Sequence, residues 1–307
     1  MTTGTAPAPT VPAFRPFAVR VLRVVRLGRS FARVTFTGDD LDEFASQGAD
    51  QRIKVLFPLA SSGLEHCPLG DDWYAAWRAL PHAHRNPMRS YTVRAARPLE
   101  REVDVDFVLH GPTGPASAWA ERARPGDGVV LVGPNARFPG TPGGVEWRPP
   151  AGAGALLLAG DETAVPALSA IAEALPAGTG ARVLLEVPTA DDVLDLDVPA
   201  DVRLTWLPRR CGTATRPLGA LLIAAVCAAA ADLGGGGASG EADEVDPDGL
   251  VWEVPDAPAP GAPAYAWLAG EAAVVTGLRR HLLREAGFDR RSVAFMGYWR
   301  RGREALT

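Results

Sequence analysis

The chain has little of what would staple it or anchor it. Its 307 residues include only three cysteines, Cys67, Cys211 and Cys227. An odd number at wide, unrelated spacings argues against a disulfide framework and against a zinc cluster, so no metal is expected. A reducing, cytoplasmic setting fits that usage. Long apolar runs are missing too. The longest, residues 218–231, is 14 residues long and half alanine, short of the roughly 20 needed to cross a bilayer. It reads as a buried helix, with no membrane partner expected. Residues 1–16 mix Thr, Ala and Pro without a basic start and apolar run, so they read as a disordered tail and not a secretory signal. Lysine is nearly absent: of 31 basic residues only Lys54 is lysine, and 36 acidic residues leave a net charge of −5. That balance lacks the basic field that nucleic-acid binders carry. The lone lysine persists by chance or because its site needs a compact, strongly hydrated ammonium where a planar fork would not serve.

What is present is ordinary globular composition, 47% hydrophobic and 22% charged, and a length that predicts two domains, each with a core of its own. The front half reads as β structure. Runs at residues 19–27 and 31–37 form a predicted hairpin, followed by strands at 52–57, 90–95, 103–110 and 128–132. In the fifth run Val103, Val105, Phe107 and Leu109 alternate with Asp104, Asp106, Val108 and His110, the period of 2 expected of a strand with one apolar face. A short helix over 115–123 begins at Pro115 behind Gly114. Six strands with one helix before the last predict a small antiparallel barrel. From residue 155 the pattern changes. Apolar runs at 155–159, 182–187, 203–207, 265–269 and 293–298 alternate with helical patterns at 163–175, capped by Thr163, at 218–231 and at 271–286, which predicts a doubly wound parallel sheet. The division is a tail at 1–16, a barrel at 17–138, a turn-rich linker at 139–154 and an α/β domain at 155–307. The glycine-rich and acidic stretch 234–248 reads as a flexible loop within the last. A monomer is the default for two such domains.

Candidate chemistry lies in both halves. On the strand around residue 91, Arg89 and Tyr91 take one face and Ser90 and Thr92 the other. An arginine can neutralise a phosphate, a tyrosine can cover a planar ring, and a threonine hydroxyl can hydrogen-bond a ring edge. About 20 residues on, His110, Gly114, Ala116 and Ser117 surround a helix start, where unpaired N–H groups suit a second phosphate. In the α/β half, ligands are expected at the carboxyl ends of the strands. These ends offer Asp161, Glu162 and Thr163 after one strand and Gly270 and Glu271 after another. Asp161 and Glu162 would repel a pyrophosphate, so a nicotinamide ribose is the better fit there. Arg209 and Arg210 could pair with a ribose phosphate. His82 and His84, with His66 and Cys67 nearby, have an HxH spacing but read as a polar loop between prolines.

The segments RSYTVR (89–94), VDVDFVLHGPTGPASAWAERARPGD (103–127), AGDETAVPAL (159–168), WLAGE (267–271) and GYWRRG (297–302) together resemble the siderophore-interacting protein family, FAD-dependent ferric-siderophore reductases of the ferredoxin reductase superfamily. The resemblance runs from about residue 18 to 302. It implies a flavin-binding barrel followed by a nicotinamide-binding domain, with FAD as cofactor and NADPH or NADH as donor. Arg89, Ser90, Tyr91 and Thr92, with Tyr91 and Thr92 nearest the reactive ring, would hold the flavin. Asp106, His110, Gly114, Ala116 and Ser117 would take the rest of the FAD, and Asp161, Glu162, Thr163, Arg209, Arg210, Gly270 and Glu271 the nicotinamide cofactor. Tyr298 or Trp299 would cover the flavin's free face, and Lys54, with Arg137, Arg300 and Arg301, would bind an anionic ferric siderophore. The implied reaction passes electrons from the nicotinamide through the flavin to Fe(III), which loosens the chelate. The sequence departs from the family's usual turn at Pro134, Asn135, Ala136 and Arg137. Alternatives are a flavin reductase, an electron-transfer partner of a biosynthetic oxygenase, ferredoxin as the donor, or an FAD-containing siderophore shuttle that does not turn over.

Overall fold

A computed structural model of the chain describes residues 11–111, 114–233, 252–255 and 262–302. Its first half contains strands β1 (Phe14–Arg26), β2 (Phe31–Thr37), β3 (Arg52–Leu56), β4 (Met88–Arg97), β5 (Glu102–Val108) and β6 (Gly128–Pro134), with short helices α1 (Trp73–Ala79) and α2 (Pro115–Ala120). The strands close into an antiparallel barrel in the order β1-β2-β5-β4-β3-β6. Alternate apolar side chains such as Phe17, Phe36, Val55, Val105 and Leu131 fill it, as the period of 2 requires. Trp119 of α2 closes the filling, with its ring 5.4 Å from Phe57 and 6.1 Å from Phe36. Strand β1 starts at Phe14, inside the stretch read as a tail, because residues 14–19 pair with β6 alone and the missing N–H of Pro16 faces no second strand. Helix α1 precedes the loop that carries His82 and His84.

The second half contains β7 (Leu156–Gly160), α3 (Val165–Glu173), β8 (Ala181–Thr189), β9 (Val202–Cys211), β10 (Ala214–Thr215), α4 (Ala220–Leu233), β11 (Trp252–Glu253), β12 (Tyr265–Glu271), α5 (Ala272–Arg284) and β13 (Val293–Trp299). They form one sheet in the order β10-β9-β8-β7-β12-β13-β11. The five inner strands are parallel, and β10 and β11 are short antiparallel edges. Every residue of β7 and β12 is buried, because α3 covers one face and α4 and α5 the other. Two expectations are corrected. Helix α3 is capped by Ala164, not Thr163. Helix α4 is not buried all round; it hides one face through Leu222, Val226, Ala229 and Ala230. The glycine-rich residues 234–240 lie outside the described residues. No helix among the described residues is long and apolar enough to cross a membrane.

The two halves are fastened at the β1–β2 turn. Phe31 enters the core of the second sheet beside Leu156 and Leu158. Both carboxylate oxygens of the fully buried Asp192 accept from Ser30, from its backbone N–H at 2.5 Å and its hydroxyl at 3.1 Å. The close approach explains Gly28, where a Cβ would sit 2.5 Å from the Asp191 carbonyl. Arg94 of β4 meets both oxygens of Glu173 on α3 at 2.7 Å.

Candidate active site

Strands β3 and β4 pair with Lys54 opposite Ser90 and Arg52 opposite Thr92, so these four residues share one face of the barrel wall. The Lys54 ammonium donates to the Ser90 hydroxyl at 2.7 Å. Burial, and then the neighbouring Arg52 charge, hold Lys54 below the usual lysine range. Among the described residues no carboxylate lies within ion-pair distance of it. Tyr91 points to the opposite side, with its ring 4.5 Å from Phe107 and 6.2 Å from Phe57, and burial raises its phenol above the usual range. Arg89 donates to the Met88 carbonyl at 2.9 Å, which leaves most of its guanidinium donors without an acceptor among the described residues. At the start of α2, Ala116 and Ser117 are buried, and among the described residues the Ser117 hydroxyl has no hydrogen-bond partner. Around Gly111 and Gly114 there is open space where side chains would stand. His110 is exposed at the end of this approach.

At the carboxyl ends of the sheet strands the polar groups are spoken for. Asp161, which is 3% exposed, accepts four hydrogen bonds: from the Thr163 N–H at 2.9 Å and hydroxyl at 2.5 Å, from the Glu271 N–H at 2.7 Å and from the Trp299 indole at 2.8 Å. One carboxylate thus ties together the ends of β7, β12 and β13. Gly270 makes room for it: with φ +144°, a Cβ there would lie 2.6 Å from Asp161 Oδ2. Burial, and then the Glu162 charge, lift Asp161 to a pKa of about 6, against the pull of the Thr163 and Trp299 donors. Glu271 caps α5, accepting from the Ala273 and Val274 N–H groups at 2.8 and 3.1 Å, and also accepts from the Arg301 N–H at 3.2 Å. Glu162 is held by both Arg209 terminal nitrogens at 2.6 and 2.7 Å.

Several expected ligand contacts therefore have other partners. Arg209 also meets Glu186 at 3.3 Å. Glu186 is fully buried and accepts from the Gly219, Leu221 and Leu222 N–H groups at the start of α4. Arg210 is exposed on β9, opposite Thr215. Asp106 has no open face for a cofactor: its 1% exposed carboxylate is clamped by Arg33 at 2.7 and 2.8 Å. Arg137 is paired with Glu43, a carboxylate that also takes Arg15, and this offsets the charge a substrate contact would need. Tyr298 stacks on Trp252, and Trp299 is directed to Asp161. Arg300 is partly exposed and Arg301 exposed. His66 and His84 stack ring on ring at 4.2 Å, and no three His, Cys, Asp or Glu side chains among the described residues are arranged to hold a metal ion.

Sequence reasoning missed Arg52, Glu186 and Trp252. Arg52 carries a readable signal, since it lies two residues from Lys54 on a strand. Glu186 and Trp252 carry none, because their partners are distant in the chain.

Comparison with known proteins bears on these geometries. Residues 20–138 match the siderophore-interacting FAD-binding domain, and residues 153–302 match the siderophore-interacting protein domain. The chain is 35% identical over 193 residues to ferric vibriobactin reductase ViuB of Vibrio cholerae, spanning 62% of this chain and 66% of that one. It is 36% identical over 114 residues to the NADPH-dependent ferric-chelate reductase of Escherichia coli, covering 37% of this chain and 42% of the relative. An uncharacterized Mycobacterium tuberculosis protein is 33% identical over 305 residues, 95% of this chain and 93% of its own. Among solved structures, the siderophore-interacting protein SipS from Aeromonas hydrophila has a TM-score of 0.67 at 29% identity, with 95% and 94% of the two chains covered. A siderophore utilization protein from T. fusca has a TM-score of 0.69 at 27% identity, with 97% of each covered. With a flavin-domain match on the barrel and the companion match on the parallel sheet, the chain belongs to the siderophore-interacting protein family.

Proposed function

We propose that the protein is an FAD-dependent ferric-chelate reductase that uses NADPH or NADH and acts on an anionic ferric siderophore. The observation that carries this reading is the polar wall of the barrel. Arg89 keeps open guanidinium donors, the Ser117 hydroxyl is buried without a partner, and Lys54, uncompensated by a carboxylate, stands nearby on the same pair of strands. These groups fit FAD. Arg89 and Ser117 would hold its phosphates, Tyr91 and Thr92 would lie against its ring, and His110, Gly114 and Ala116 would line the approach. When bound, FAD accepts a hydride and releases electrons singly, which joins a two-electron donor to one-electron acceptors. Each chelated Fe(III) takes one electron, so one nicotinamide reduces two.

The chain's own part is binding and orientation. Lys54, with Arg300 and Arg301 as further candidates, draws the anionic chelate to the barrel. The strand ends around Asp161, Thr163, Gly270 and Glu271 form a pre-shaped floor for the nicotinamide half of the donor. Arg210 is the arginine left open for a ribose phosphate, since Arg209 is taken by Glu162 and Glu186. Free thiols at Cys67, Cys211 and Cys227 fit a reducing cytoplasm, and a monomer is the proposed working state.

Steady-state rates with NADPH, NADH and reduced ferredoxin as donors, and with a ferric tris-catecholate or free flavin as acceptor, test the reading. Faster turnover of the ferric chelate with a nicotinamide donor is expected. Preference for free flavin would make the protein a flavin reductase.

A further inference from the structure

The stretch between α4 and β12 has no part in the function above, yet its described residues 252–255 are firmly placed. Strand β11 pairs with the outer edge of β13, Trp252 opposite Met296 and Glu253 opposite Phe295. Glu253 anchors it, with Arg279 at 3.0 Å and Arg290 at 2.7 Å. Trp252 reaches the other domain. Its ring stacks on Tyr298, centroids 5.9 Å apart at 23°, and the Arg52 guanidinium of β3 lies 4.5 Å from its centroid. A guanidinium over an indole face is held by the ring quadrupole without losing its charge. A carboxylate partner offsets charge, and among the described residues Arg52 has only a loose one, Glu146 at 3.3 Å.

Arg52 and Lys54 point from the same face of β3, about 7 Å apart at the usual rise per residue. Two cations left together on one wall repel, and the Arg52 charge adds to burial in holding Lys54 low, so an unrestrained arginine would swing away. We infer that Trp252 is a positioning residue for the substrate: by holding Arg52 beside Lys54 it builds a two-cation cradle that selects multiply charged anionic ferric chelates over neutral ones. This rests on Lys54 being a substrate contact. It gives the α4–β12 stretch a role in specificity at a site made by the other domain.

Equilibrium dialysis of the FAD-loaded protein against two probes tests it, one the ferric tris-catecholate complex, which is a trianion, the other a neutral ferric tris-hydroxamate. Trp252→Ala and Arg52→Gln should each weaken trianion binding about 5- to 10-fold and change neutral binding less than twofold. The double variant should be no weaker than either single, and Trp252→Phe should regain most of the affinity. Should Trp252→Ala not fold, Arg52→Gln and Trp252→Phe carry the same comparison. The inference is overturned by wild-type trianion affinity in Trp252→Ala, by equal losses for both probes, or by losses that multiply in the double variant. Trianion binding left unchanged by Lys54→Ala, or a wild-type protein that binds neither probe, overturns the Lys54 reading as well, which separates the two failures.

Discussion

The barrel wall and the strand ends of the α/β sheet both carry motif residues, but they use them differently. On the barrel, Arg89 and Ser117 hold donors that the protein leaves unmatched. At the strand ends, Asp161, Glu162, Thr163, Glu271 and Arg209 are all engaged with one another or with helix N–H groups. A buried polar group without a partner costs stability unless something else satisfies it. On the proposed function the first region is completed by a ligand, while the second serves as a scaffold. Two motifs of equal prominence in the sequence thus take different parts in the proposed function: one would contact the ligand, the other shape the site.

The largest effect that would break this contrast belongs to the scaffold. Asp161→Ala strips partners from the buried Glu271 N–H and the Trp299 indole and should lower unfolding free energy by about 2–5 kcal/mol, read by urea denaturation. Arg89→Ala should leave stability within about 0.5 kcal/mol and weaken FAD binding roughly 10- to 100-fold, since hydrogen bonds to charged groups contribute about 1.5–3 kcal/mol. A flavin titration of the apoprotein measures this. If the two variants exchanged phenotypes, the division would be wrong. Lys54→Ala should raise the KM for an anionic ferric chelate about three- to tenfold, with flavin content unchanged and the difference shrinking as salt is added. An unchanged KM would remove Lys54 from the substrate site.

The smallest effect is a difference in sign with pH. Asp161 has a folded pKa of about 6, above the roughly 3.9 of an unfolded aspartate. The folded state therefore holds its proton more tightly, and this group adds stability as pH falls from about 6 towards 4 and loses it as pH rises through 6. On the barrel, hydrogen bonds from Arg23 and then Arg97 hold Glu102 below the usual carboxylate range, against some burial. Its contribution is present above the unfolded pKa and is lost as pH falls through the folded one. The melting temperature of the wild type minus that of Asp161→Asn should fall as pH rises from 4 to 7, while the wild type minus Glu102→Gln should rise over the acid end of that range; the opposite trends would show these signs to be wrong.

Much of the fold was legible because its signals are local. Alternation in residues 103–108 and fully apolar runs such as 156–160 depend on which faces are buried. The motif residues were also legible as residues. What the sequence did not carry was the identity of their partners. Asp106 looked available until β2 brought Arg33 directly opposite it, 73 positions away in the chain. Thr163 looked like a helix cap because Ser and Thr favour that position, but its hydroxyl goes to Asp161, whose carboxylate is the stronger acceptor. Strand β11 has only two residues in a stretch rich in Pro and Ala, too short for any period, and it exists because β13 offers an open edge.

The most direct measurement is an anaerobic visible spectrum of the purified protein, taken first alone, then with NADPH or NADH, and then with a ferric siderophore. The account predicts bound FAD, loss of its absorbance with the nicotinamide, and its return with the chelate as Fe(II) appears. A protein that cannot take up FAD, or whose flavin stays reduced when the ferric chelate arrives, would contradict it.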